Sequence, residues 1–311
     1  MKAGKAFEIL VQQILLCAGF SQVDADGMYI FNDPAVGLMI QGLAEAHNAD
    51  VLMEPPVQTP FYSRTRLLVE CKDYSSNKRV GLDILRSALG LREDINHFNI
   101  IDSKELKSRQ KRKRYGLTHP FDRYTYQVAV ASMNGFTVQG QNFAAAHRIP
   151  LIGFDKMPFW DDFCRILNIS PRGTFSRSNI LEDEVTSAAK QVGSRMAIAI
   201  TNSGQMLFLY RVAGWDNEFG DYYSLHWNST DSPWVLRTDE CEYLFQLPDA
   251  IMRNWLENTS TELEKKRSAV DCKERSLAHM VVYYRRYNTP AIKMISIDRG
   301  QLAEARSRLM R

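Results

Sequence analysis

Glu70 and Lys72 are the side chains best placed to do chemistry in this chain. They close the run Leu67-Leu68-Val69-Glu70-Cys71-Lys72-Asp73. Apolar residues passing into a Glu-x-Lys make the pattern of a short buried strand that leaves the core carrying two opposite charges. Side chains alternate across a strand, so Glu70 and Lys72 share one face, roughly 7 Å apart, and Cys71 points the other way with Leu67 and Val69. A carboxylate beside an ammonium at such a strand end suits a divalent cation and a positive charge acting on water over one phosphate. Alone, the same pair is an ordinary surface ion pair, so the reading depends on what other acids the fold brings up.

The elements that would do so are legible nearby. Residues 3–18 place Phe7, Leu10, Val11, Ile14, Leu15 and Ala18 at helical spacing, ended by Gly19, with Glu8 on the other side. Residues 28–31 read as a short strand before Asn32-Asp33-Pro34 turn chemistry. His47-Asn48-Ala49-Asp50 then reads as a loop into the strand Val51-Leu52-Met53, which forms a long-connected hairpin with residues 66–73 and sets Asp50 near Glu70. A helix over 80–94, a buried strand over 126–131, a helix over 138–147 and a strand at 150–154 follow, the alternation of an α/β layer.

The 311 residues exceed the usual single-domain size, and the Ser-, Gly-, Pro- and Arg-rich stretch 170–179 divides them into residues 1–170 and an α+β domain, 171–311. In that second part residues 196–200, 205–212 and 222–227 read as antiparallel strands, a helical region follows Pro248, residues 261–287 read as one long charged helix, and 291–297 as a last strand. Aromatic residues between Trp215 and Trp234 suit either a core or base stacking. No apolar run is long enough to cross a membrane. Five scattered cysteines without a Cys-x-x-Cys pair fit reduced thiols in a cytoplasm and offer no zinc site.

The net charge is only +3, but residues 101–115 carry seven Lys or Arg and two acids, leaving −2 for the rest of the chain. This run, with Lys107, Arg109, Lys111, Arg112, Lys113 and Arg114, is either a solvated surface or a track for a phosphate backbone, gripping without reading sequence.

Taken in order, these segments resemble the PD-(D/E)xK nuclease superfamily, and within it the Mrr-like restriction endonucleases. KAFEILVQQILLCAGF is similar to the family's opening helix, HNADVLM to its histidine-then-aspartate strand, RLLVECKDY to its signature strand, and YQVAVASMNGFTVQGQNFAAAHRIPLIGFD to its later strand–helix–strand. The resemblance spans residues 3–155. Asp50 follows Ala49 instead of the proline of the superfamily's name, the glycine-rich approach to the aspartate is absent, and the Mrr-like branch often has Gln where Glu70 stands.

The resemblance implies an α/β fold, a restriction-endonuclease-like mixed sheet flanked by helices, and a DNA endonuclease of restriction or defence against foreign DNA. It implies Mg²⁺, with Mn²⁺ as a substitute, held by Asp50, Glu70 and the backbone carbonyl of Cys71, with Glu8 as an outer ligand. Lys72 would orient or deprotonate the attacking water. His47 either touches phosphate or ligand or caps its loop. Cutting both strands with one site per chain favours a homodimer. Two other readings stay open: a nuclease-like scaffold that binds or senses nucleic acid without cutting it, and a nuclease for RNA or branched DNA.

Overall fold

The computed structural model describes residues 4–27, 29–58, 63–74, 78–97, 124–170, 180–227, 233–256 and 259–310. The fold is a mixed α/β one built on two large sheets and a small one. The first large sheet has the order β1-β5-β6-β7-β8, from β1 (Ser21–Gln22), β5 (Val51–Glu54), β6 (Arg64–Lys72), β7 (Tyr124–Ser132) and β8 (Leu151–Gly153). β1, β5 and β6 pair antiparallel, whereas β6, β7 and β8 run parallel. Leu68, Val69, Val128, Ala129 and Val130 are buried on both faces of that parallel centre, which is why the sequence there runs apolar without alternation.

Each face has its own cover. α2 (Leu82–His97) and α3 (Val138–His147) lie on one, where Leu85, Ala88 and Ala144 cluster with Leu52, Leu68 and Val128. α1 (Lys5–Cys17) lies on the other, with Phe7, Leu10 and Ile14 against Val51, Val69 and Ala129. Helix α1 ends in a Schellman motif: the Phe20 N–H donates to the Leu15 carbonyl and the Gly19 N–H to that of Leu16. Gly19 has φ +99°, a left-handed conformation that residues with a Cβ adopt only at a cost. α3 starts where Thr137 Oγ1 accepts the Gly140 N–H at 3.2 Å, an N-cap.

The small sheet, β2 (Ile30–Asp33), β3 (Gly37–Gln41) and β4 (Ala46–Asn48), is antiparallel. It extends the expected strand at 28–31 into a meander, and His47, expected in a loop, belongs to its last strand.

The second large sheet runs β11-β12-β13-β10-β9-β14-β15, comprising β9 (Met196–Thr201), β10 (Met206–Ala213), β11 (Tyr223–His226), β12 (Trp234–Thr238), β13 (Glu242–Phe245), β14 (His279–Arg286) and β15 (Thr289–Ser296). Every pairing in it is antiparallel. Helices α4 (Trp160–Ile166), α5 (Glu182–Gly193), α6 (Asp249–Leu256), α7 (Glu262–Ser276) and α8 (Arg299–Met310) are the other α-helices among the described residues.

The long helix expected over 261–287 is two elements. α7 stops at Ser276 and the chain returns as β14. Met280, Val282 and Tyr284 are buried in alternation along that strand, beside β9. The run Val281-Val282-Tyr283-Tyr284 favours an extended chain. Of the aromatic residues between 215 and 234, Trp234 is fully buried in a core cluster with Phe219, while Trp215 stands in solvent.

One apolar cluster draws on the chain before residue 170 and after 180. Phe7, Phe154, Phe159 and Phe163 share it with Val185, Val192, Ile198 and Phe208. α5 lies so close to α1 that a Cβ on Gly193 would come within 2.7 Å of Cys17 Sγ. Phe154 is wholly buried and meets Phe7 edge-on at 4.9 Å and Phe159 at 5.9 Å. Phe154→Ala is expected to destabilise the protein by about 3–5 kcal/mol and to lower the melting temperature within one cooperative transition. Two separate transitions, only one of them shifted, would contradict a core shared by both parts of the chain.

Candidate functional site

The register of β5 on β6 decides the site. Val51 pairs with Val69, Leu52 with Leu68 and Met53 with Leu67. One step further along the same antiparallel register sets Asp50 opposite Glu70. Leu52 and Leu68 face α2, so Asp50 and Glu70, each two residues on, face it too. The acids separated by twenty positions in sequence therefore stand at neighbouring strand ends on one face.

The Asp50 carboxylate is anchored by two donors. Its Oδ2 accepts the Cys71 N–H at 2.9 Å and its Oδ1 the Asn48 side-chain amide at 2.9 Å. Within a strand a residue's N–H and C=O point to the same lateral edge, so the Cys71 carbonyl is directed to the Asp50 side, as the expected ligand role requires. Burial, and then the like charge of Glu70, push Asp50 up to about 6 against the pull of the Cys71 N–H and Lys72, with a lesser push from Glu8. A buried carboxylate beside a second acid is an environment that perturbs titration as functional sites often do.

Lys72 Nζ donates to Glu70 Oε2 at 2.8 Å. Burial works against its ammonium, but the Glu70 ion pair and Asp50 outweigh it and raise the lysine above its ordinary value. Lys72 thus holds its proton tightly. Of the two roles expected for it, orienting water and offsetting charge fits this geometry, and deprotonating water does not. The Cys71 thiol faces the opposite side, and burial together with Asp50, Glu8 and Glu70 drives it well above its usual range. It stays a thiol, so soft-metal ligation is not its role.

These groups line a cleft of about 640 Å³ between the strand ends, the residues around β4 and α2. His47 shares the wall with Asp50, Glu70 and Lys72. It neither caps its loop nor stands free: its Nε2 lies 2.7 Å from Asp94 Oδ2. The His47 ring and the Ala44 N–H hold the Asp94 carboxyl below its usual range. Asp94 was not among the residues singled out in the sequence, where it appears only as the end of a helix, and its partner is 47 residues away. Asn48 was equally silent, although its place two residues before Asp50 is where a side-chain amide can reach a strand-opening carboxylate.

Glu8 is carried by α1 on the other face of the sheet and pairs with Lys5 at 2.9 Å. It is close enough to raise Asp50 and Cys71, yet it does not line the cleft. Lys107, Arg109, Lys111, Arg112, Lys113 and Arg114 lie outside the described residues.

Among the described residues no three His, Cys, Asp or Glu side chains come together as a metal cage. Two anchored carboxylates and a carbonyl are instead an all-oxygen set for a hard cation that keeps several waters and takes the rest of its shell from a phosphate. Asp50, opposite Glu70 in register and fixed on the Cys71 N–H, is the donor around which such a set could form. No helix among the described residues is long and apolar enough to cross a membrane.

No family model matches the chain, and no curated protein matches it. Among solved structures, it is similar to a crystal structure described as a protein of unknown function, AF1548, at 15% identity and a TM-score of 0.33, over 61% of this chain and 97% of that one. A likeness that weak leaves fold and function to the geometry above.

The raised Asp50 value has a sign that can be measured. Its folded-state value of about 6 lies above the ordinary 3.8, so the folded protein holds more protons than the unfolded chain between those limits, and stability falls as pH rises through them. The loss is at most roughly 3 kcal/mol. Asp50→Asn keeps the shape, and the Asn48 amide can turn its oxygen toward the new donor. In metal-free buffer this variant is expected to lose the decline between about pH 4 and 6 and to exceed the parent in stability at pH 7. Parallel stability–pH curves for the two proteins in urea unfolding would refute the shift.

Proposed function

We propose that this protein is a divalent-metal-dependent DNA endonuclease, hydrolysing phosphodiester bonds at the cleft of Asp50, Glu70 and Lys72 and serving in restriction or defence against foreign DNA. The observation that carries the reading is the Asp50–Glu70 juxtaposition across β5 and β6, with Asp50 fixed on the Cys71 N–H and Lys72 fixed on Glu70. Two carboxylates side by side at a buried strand end destabilise each other unless a cation sits between them.

Asp50, Glu70 and the Cys71 carbonyl would hold Mg²⁺, and Glu8, outside the cleft, would add only its charge to the field at Asp50. The ion supplies Lewis acidity toward the phosphate and lowers the cost of ionising water. The chain's own groups do the rest. Asn48 and Cys71 keep the Asp50 carboxylate in one orientation. Lys72 Nζ, charged and tied to Glu70, points a donor at the attacking water and offsets negative charge that grows on the phosphate. The basic run at 101–115 gives the polyanion a grip independent of sequence.

In the test, purified protein is incubated with supercoiled, linear, branched and modified DNA and with RNA, in Mg²⁺, in Mn²⁺ and in EDTA. Nicking or cutting of DNA is expected only with metal. Lys72→Met is expected to slow it by roughly 10²- to 10³-fold, the usual scale for removing one positioned donor, with the melting temperature little changed. Glu70→Gln is expected to abolish metal-dependent cutting. A parent protein inert on every DNA would sink the proposal, and a preference for RNA would redirect it.

A further inference from the structure

The cleft contains an imidazole that the reaction proposed above leaves without a task. His47 lies on β4, and its Nε2 is given to Asp94 Oδ2 at 2.7 Å. Asp94 is itself fixed: its Oδ1 accepts the Ala44 N–H at 2.8 Å and its backbone carbonyl the Leu43 N–H at 3.2 Å. The turn makes room for this carboxylate, because a Cβ on Gly42 would fall 1.9 Å from Asp94 Oδ2. Asp94 therefore sets both the tilt of the ring and its tautomer, with a proton on Nε2. Nδ1 is left as the nitrogen that exchanges a proton. Histidine and aspartate both line the cleft that holds Asp50, Glu70 and Lys72, and among the described residues no second imidazole does.

Hydrolysis of a phosphodiester expels an alkoxide, a strong base that leaves well only if it is protonated as the bond breaks. The other groups of the cleft are poorly suited to that task. Asp50 and Glu70 serve as carboxylates, and Lys72 Nζ is committed to Glu70 Oε2 at 2.8 Å. His47 combines a position in the cleft, a second ring nitrogen that is not given to Asp94, and a carboxylate behind it to steady the charged ring.

We infer that His47 is the general acid of this reaction and that Asp94 is its positioning residue; the inference rests on the endonuclease reading. The oxygen of the attacking water forms the new bond to phosphorus. The bond from phosphorus to the bridging oxygen breaks with its electron pair on that oxygen, which takes the proton from His47 Nδ1. The surplus proton of the attacking water passes to solvent, and solvent later returns one to the imidazole.

The experiment compares two linkages at the same site of one oligonucleotide, using the full-length protein with Mg²⁺ or Mn²⁺. One is the natural diester. In the other, sulfur replaces the bridging oxygen on the side that the parent enzyme releases, and a thiolate leaves without needing a proton. His47→Gln is expected to slow the natural linkage by about 10²-fold or more while cutting the sulfur linkage at close to the parent rate. Asp94→Asn is expected to show the same selectivity with a smaller loss. His47 also helps pin β4 to α2, and a variant that is merely misfolded would be slow on both linkages. Equal slowing of both overturns the inference, as does a His47→Gln protein that cuts the natural linkage at the parent rate. In those two cases the nuclease reading survives, because the parent still cuts. A parent that cuts neither linkage removes both.

Discussion

The hydrogen bond from the Cys71 N–H to Asp50 is the contact on which the rest of the site depends. It holds a carboxylate beside another carboxylate, partly out of water, where burial and the charge of Glu70 both disfavour the ionised form of Asp50. Such an arrangement persists only if the surrounding strands leave it no alternative. The register of β5 on β6 is that constraint. Val51 and Val69 are committed to the α1 face, and Leu52 and Leu68 to the α2 face. A slip of one residue would bury the wrong side of both strands and carry Asp50 to the opposite face. The site is thus a by-product of core packing a few ångströms away, and the packing energy of the apolar pairs offsets the electrostatic strain at the strand ends.

Lys72 and the acids of the cleft divide their tasks by the partners each one has. Lys72 is bound to Glu70 and kept charged, so it acts as a fixed positive end and not as an acceptor of protons. Asp50 is raised to about 6 because burial, and then the like charge of Glu70, disfavour its ionised form. Asp94, by contrast, has its neighbours' donors around it and is held low. Asp50 and Asp94, two carboxylates of one cleft, therefore behave differently for local and nameable reasons. The opposite face of the sheet is no less constrained, since α1, which carries Glu8, is wedged between the first sheet and α5 with no space for a side chain at Gly193.

Much of this was legible in the order of residues. The helical spacing from Phe7 to Ala18, the apolar runs at β6 and β7, and the helix at 138–147 all appear within a residue or two of their expected places. Each is a long segment whose pattern has one solution. The acids could be paired because both sit where an apolar run ends. What stayed hidden depends on contacts between distant segments. Nothing local ties Asp94 to His47, and the meander of β2 to β4 has too few apolar residues to announce itself. The long helix expected over 261–287 failed because charged residues spaced for a helix were read through into Val281-Val282-Tyr283-Tyr284, where sheet pairing with β9 and β15 prevails. α5, a short amphipathic helix, and α8, whose residues offer no clear apolar stripe, were passed over. The state of Lys72 was also out of reach of sequence, because it follows from a distance.

The most direct test of the central claim is a titration of the Asp50 side-chain carboxyl carbon by NMR, in metal-free buffer and again with Mg²⁺. The expected result is a midpoint at about 6 without metal and a marked fall when Mg²⁺ is added, as the cation replaces the missing counter-charge. A midpoint at the ordinary value near 3.8, unchanged by Mg²⁺, would contradict a cation site between Asp50 and Glu70.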